Sequence, residues 1–179
     1  MQPCRSYGNG SNTHPYGVTE KSLFFYRIMQ VFVTSTSCIE TASQLDRKRL
    51  NKQIIEAGQI LKAIKGEGKG WHHHPATLMY ARHAAWLDLY RLCLQAYFSG
   101  DMETARAYSS QADALCPPFI TEKLCEQHRR RLFTKAPDLY PEFSGYGTSQ
   151  ENWYVVDGKL LKYVGGKLIK QPMDSQKNH

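Results

Sequence analysis

Residues 77–99, TLMYARHAAWLDLYRLCLQAYFS, carry two apolar rows at helical spacing. Leu78, Ala85, Leu89, Leu92 and Ala96 form one; Met79, Trp86, Tyr90, Cys93 and Tyr97 form the other. Together they cover too wide an arc for a helix lying on a surface. The spacing therefore predicts a central helix enclosed by others. Gly100 ends it. Asp101 caps a further helix over 102–115, stopped by Pro117 and Pro118. Thr121 opens another over 122–135, which contains the basic run HRRR at 128–131.

The remaining long helix runs from an N-cap at Ser43 to about Lys65. Its apolar positions are Leu50, Ile54, Ala57, Leu61 and Ile64, which share one stripe at about 100° per residue. Arg49, Lys52, Gln53, Glu56 and Gln59 fall in a stripe beside it. The fold class expected is mainly α, a compact bundle of about four helices with a short C-terminal β-meander. The meander follows from a repeat: YVVDGKLLK (154–162) and YVGGKLIK (163–170) each join β-formers across a two-residue turn. Residues 1–28 are rich in Gly, Ser, Asn and Tyr without apolar period and are expected to be a disordered arm. The helical domain is then 29–152, the β-ribbon 153–170 and a disordered tail 171–179.

A chain of 179 residues buries a core without staples. Its five cysteines, Cys4, Cys38, Cys93, Cys116 and Cys125, are odd in number and irregular in spacing, against a disulfide framework. No apolar run is long enough to span a bilayer. A cytoplasmic protein without membrane contact is expected. The net charge of +7 favours a polyanionic partner. His72, His73 and His74 stand consecutively without an acidic or cysteine cluster at ligand spacing, so no metal and no cofactor are expected. His74 is instead assigned to DNA contact or to capping the helix after Pro75, and Arg82 to the same face.

The mixed stripe suits chemistry on DNA. Cations hold phosphates, amides bond base edges or fill space left by a displaced base, and a carboxylate moves protons at the sugar. Glu56, beside Arg49 and Lys52, is expected to have its charged form favoured. The plain alternative is a solvated charge network worth a few tenths of a kcal/mol per pair.

The run L-D-x-x-R-L-x-K-Q-x-x-E-A-x-Q-I-L at 45–61, a glycine-rich loop, and HHP before the next helix together resemble the small phage-type pyrimidine-dimer DNA glycosylases. The resemblance extends over about 29–99 and returns more faintly in 128–155. It implies a compact helical domain acting as a monomer on double-stranded DNA with damaged pyrimidines. It also implies a glutamate essential to the chemistry, at Glu56 here, and an amine that attacks C1′, forms a Schiff base and leads to strand cleavage. That amine would belong to Met29 or Gln30 of a chain starting there, by translation or by processing. With residues ahead of Met29 that nitrogen is a peptide nitrogen, and Lys52 is the side-chain alternative; absence of lyase activity is another. Arg47, Lys48, Arg49 and Lys52 match the family's basic surface. Gln53 and Gln59 join them as DNA-facing amides, and Trp153 and Tyr154 match its aromatic end. Two other functions stay open: a non-catalytic DNA-binding protein on this scaffold, or a helical protein-interaction module.

Overall fold

The computed structural model describes residues 30–67, 71–156, 159–164 and 167–170. The arm expected over 1–28, Met29 and the tail 171–179 lie outside the described residues. The described chain is mainly helical with a C-terminal antiparallel meander, as expected, but with six α-helices rather than about four.

The chain enters as an extended segment, Gln30–Thr34, that passes through the interior without joining a sheet. An extended buried backbone leaves amides and carbonyls that need partners. Here side chains supply them. The Phe32 amide donates to Gln53 Oε1 at 2.7 Å, and Tyr90 Oη donates to the Phe32 carbonyl at 2.7 Å. The Val33 amide donates to His128 Nδ1 at 2.9 Å, and Arg129 Nε donates to the Thr34 carbonyl at 2.8 Å. Three helices, distant in sequence, are thereby fastened to one strand-like segment.

Helix α1 (Cys38–Gln44) and helix α2 (Arg47–Ile64) replace the single helix expected from Ser43. The break falls at Leu45 and Asp46, both extended. Asp46, not Ser43, is the cap: its carboxylate accepts from the Lys48 and Arg49 amides at 3.0 and 3.1 Å. Leu45 turns inward at the same point.

The long helix expected over 77–99 is also divided. Helix α3 (Pro75–Tyr80) has Pro75 at its first turn and His74 as its cap. A 3-10 turn, Ala81–His83, precedes α4 (Ala84–Ser99). In an unbroken α-helix, side chains six residues apart diverge by about 240°. The tighter turn changes that phase, and Tyr80 and Trp86 stack inside at 5.7 Å. α4 is the central helix, packing against α1, α2 and α5 (Met102–Ala114). Its buried face runs Trp86, Leu87, Tyr90, Cys93, Leu94, while Leu78 on α3 stays exposed. Gly100, at φ 85°, ends α4 in the left-handed conformation that glycine adopts without strain.

Helix α6 (Glu122–Lys135) starts at the expected Thr121 cap and lays His128, Arg129 and Leu132 inward. Two 3-10 turns, Pro137–Leu139 and Pro141–Tyr146, fold back on it and bury Tyr140 and Phe143. Strands β1 (Asn152–Val156), β2 (Lys159–Val164) and β3 (Lys167–Lys170) pair antiparallel in the order β1-β2-β3. Val156 pairs with Lys159 and Val164 with Lys167, consistent with the expected tight turns, whose central dipeptides lie outside the described residues. β1 packs on α3 and buries Trp153 and Tyr154 in the core. No helix among the described residues is long and apolar enough to cross a membrane.

Candidate active site

Helix α2 faces the entry segment with Gln53 and Glu56, i and i+3 on one stripe. Both are buried, so the polar row expected beside the core is partly inside it. The reason is the entry segment: an extended backbone without a neighbouring strand needs polar side chains against it. Gln53 has its amide fully engaged. Its Oε1 accepts from Phe32; its Nε2 donates to the Gln30 carbonyl at 3.0 Å and to Glu56 Oε2 at 3.1 Å. One side chain therefore ties the backbone at Gln30 to the Glu56 carboxylate.

The other oxygen of Glu56, Oε1, lies 3.5 Å from Lys52 Nζ, whose side chain is 61% exposed. Burial raises the Glu56 pKa above its ordinary value; Lys52, then Lys135 and Gln53, act against that rise without cancelling it. The expectation that neighbouring cations would favour the charged form is thus reversed, because only 8% of the residue's surface is open. A carboxylate held this way is the right kind of group to take and return a proton.

Two further cations, Arg49 and Arg131, lie within the field of Lys135. Arg49, nearly one turn before Lys52 on the α2 face, donates to Asp46 Oδ2 at 2.6 Å and lies over the Tyr140 ring at 5.2 Å. Tyr140 Oη also donates to Asp46 Oδ2. Desolvation of Asp46 is outweighed by these bonds from Tyr140 and Arg49, and its pKa falls. Across from α2, the C-terminal half of α6 presents Arg131 and, in its last turn, Lys135. Lys135 Nζ lies 4.9 Å from the Phe32 ring centroid. Lys135 is exposed by area, yet desolvation, then the charges of Arg131 and Lys52, bring its ammonium down to about 8 despite the pull of Glu56.

The structure thus brings Gln30, Lys52, Gln53, Glu56 and Arg49 to one place. Other expected site residues lie elsewhere. Arg47 sits over the Phe98 ring at 4.0 Å, on the side of α2 that meets α4. Lys48 is exposed at the start of α2. Gln59 is exposed and lines an open groove between α2 and α4 with Lys62, Lys65 and Arg91. His74 is buried, caps α3 by accepting from the Ala76 amide at 3.1 Å, and meets Tyr154 edge-on at 5.9 Å. Burial lowers its pKa to about 4. Arg82 is exposed on the rim of a cavity of about 580 Å³ that is also lined by His83, Phe119 and Val155. Trp153 and Tyr154 are not on the surface: with Gln30, Ala76, Tyr80 and His128 they line one small interior gap.

Lys135, Arg131, His128 and Tyr90 are the residues about this centre that sequence reasoning did not single out. The HRRR run was a signal for α6, but the helical phase alone does not say which of its positions meets α2. Among the described residues, no three His, Cys, Asp or Glu side chains gather as a metal site.

No curated protein and no solved structure matches the chain. The segment that carries the entry strand, Gln53, Glu56, α3 and most of α4, residues 29–97, does match a family model, and that family is the pyrimidine dimer DNA glycosylases.

Proposed function

We propose that the protein is a DNA-repair glycosylase with abasic-site lyase activity, acting on pyrimidine dimers or related damaged pyrimidines in duplex DNA. One observation carries the reading: a buried carboxylate, Glu56, is joined through Gln53 to the backbone at Gln30, with the cations Lys52 and Lys135 acting on it. The family match supports the substrate class.

In this reading an amine attacks C1′ of the damaged nucleotide while the glycosidic bond breaks. The leaving base takes the bonding pair and then a proton from solvent. One amine proton passes through Glu56 to O4′, the sugar ring opens, and a cationic Schiff base remains. Its charge acidifies C2′–H; loss of that proton expels the 3′ phosphate. The ionised Glu56 stabilises the cation between these steps. For a chain starting at Met29 or Gln30 the nucleophile is the terminal amine, delivered beside Glu56 by the Gln53 bridge. An α-amino group near ~7.7–8.0 leaves roughly a tenth of it as free base at pH 7. Lys52 is the side-chain alternative on the same helix.

Lys48, Arg49 and Lys52 of α2 and Lys135 of α6 contact phosphates, which fixes register without reading sequence. Gln53, its amide already engaged, acts as a positioning residue. Opening the duplex costs a few kcal/mol and less at a damaged pair, which favours lesions.

The test is incubation of a chain starting at Met29 with ultraviolet-irradiated and untreated plasmid, with and without borohydride. Nicking confined to irradiated DNA, with a reducible protein–DNA adduct, is the expected result. Binding to irradiated DNA without nicking or adduct would make this a non-catalytic DNA-binding protein instead.

A further inference from the structure

Along α2 one stripe stays in solvent from end to end: Lys48, Lys52, Ile55, Gln59 and Lys62. These positions recur every three or four residues and therefore share one face. All but Ile55 are polar. Ile55, at the centre, is 52% exposed. A lone apolar side chain on a surface is ordinary, but this one is placed and shaped for contact. It immediately precedes Glu56, and Lys52, one turn back, lies 3.5 Å from the outer carboxylate oxygen. A β-branched residue is a poor choice for an exposed helix position, where packing does not offset its lost rotamers. What it offers is stiffness: one χ1 rotamer dominates, so little freedom is left to lose on insertion. Nearly one turn further on, Gly58 stands mid-helix, where glycine weakens a helix. The neighbouring α4 does not demand it, since a Cβ there would meet Arg91 Cδ at 3.7 Å, an ordinary contact. Ile55 and Gly58 line the same open groove, with Ile54 and Gln59. A stiff apolar knob thus stands beside a lowered stretch of helix surface, next to the carboxylate.

We propose that Ile55 is the wedge that enters the base stack at the lesion, with Gly58 giving clearance beside it. The inference rests on the glycosylase reading above and names the group that opens the substrate. Phosphates held by Lys48, Arg49, Lys52 and Lys135 fix the duplex against α2, and the Ile55 side chain then parts adjacent base pairs. An apolar side chain suits this step. It replaces lost stacking contacts without leaving a polar group unpaired, which a lysine or glutamine at the same position could not do. Parting one step kinks the duplex and brings the deoxyribose of the lesion toward Glu56. No bond is made or broken in this step. Insertion costs least where stacking and pairing are already weakened, so the wedge separates damaged from intact DNA before any chemistry.

The experiment uses the full 179-residue chain and duplexes with 2-aminopurine beside a thymine dimer or beside intact thymines. Binding is read by anisotropy and unstacking by the rise in 2-aminopurine emission, so neither readout needs the covalent step. On the dimer duplex the unaltered chain is expected to raise emission. Ile55→Ala is expected to lose most of that rise and Ile55→Leu to keep it. Binding of undamaged duplex, set by phosphates, is expected to stay within about 2-fold in both variants. Gly58→Ala is expected to raise the melting temperature while reducing the emission rise, a pair of effects that damage to the fold cannot produce. In single turnover, by the full chain or one starting at Met29, Ile55→Ala is expected to slow dimer cleavage about 10-fold or more. The rate is expected to recover when the nucleotides opposite the dimer are abasic, because that stack is already broken. An unchanged emission rise in Ile55→Ala or Gly58→Ala, or an equal cleavage defect on the abasic substrate, overturns the proposal. Cleavage absent from every chain, with the rise still dependent on Ile55, overturns the glycosylase reading and leaves the wedge to a DNA-binding protein. Cleavage without any rise overturns the wedge alone; neither rise nor cleavage overturns both.

Discussion

At the residue scale, Gln53 explains most. It satisfies the Phe32 amide and the Gln30 carbonyl and orients Glu56 in one stroke. Replacing it by Leu leaves two buried backbone groups without partners. Such groups cost about 1–3 kcal/mol each, so a loss of about 2–6 kcal/mol is expected in denaturant unfolding. Gln53→Glu should be no milder, because it sets a second carboxylate against Glu56. The histidines set an acid limit. Burial holds His74 and His128 at about 4, below their ordinary value of 6.5. As pH falls from 6.5, the unfolded chain takes protons that the folded chain refuses, so stability is full above 6.5 and is lost progressively through about 4. Glu56, raised, works in the opposite sense on the acid side and softens the slope. Melting temperatures across pH 4–8 check this; a flat profile would contradict the assigned burial. Glu56 itself was legible in the sequence as a carboxylate among cations. Its burial was not, because the groups it meets from outside α2, the Gln30 backbone through Gln53 and the charge of Lys135, lie far away along the chain.

At the element scale, the helices were legible where caps and periodicity agreed. Asp101 and Thr121 begin α5 and α6 where the sequence puts them. The two failures share a cause: periodicity ran through a short break. Asp46 was available as a cap, but read as part of a charged helix face. The 3-10 turn at Ala81–His83 has no glycine or proline to announce it, and is selected by the stacking of Tyr80 on Trp86. The same phase change moved Leu87 and Leu94 into the core, where neither expected apolar row included them. Leu87→Ala, at a site with no exposed surface, is therefore expected to cost about 2–5 kcal/mol, more than Leu89→Ala on the half-buried side. Equal effects of the two would show that the face of α4 is misassigned. The extended entry segment is legible as the short apolar run QVFV at 30–33, but its partners are not, since they are side chains from α2, α4 and α6 and leave no local pattern.

At the scale of the whole molecule, the net charge of +7 is unevenly used. Arg47 packs on Phe98, Arg129 is committed to Thr34 and Glu122, and Lys162 pairs with Glu151. What stays open near Glu56 is a short cationic rim on α2 and α6. About four phosphate contacts would give binding to undamaged duplex a log–log salt slope of about −3 to −4. A slope near about −6, the value for seven contacts, would mean that the grip is spread over the surface and not centred on Glu56.

The account stands on Glu56 as the chemical centre, and single-turnover cleavage of a duplex with one thymine dimer tests it most directly. The comparison is the unaltered protein against Glu56→Gln, with melting temperatures measured beside the rates. Loss of about 10²–10⁴-fold in glycosidic cleavage without a lower melting temperature is the predicted result, since ionised Glu56 is a burden to the fold. A Glu56→Gln protein that cleaves the dimer at the unaltered rate would contradict it.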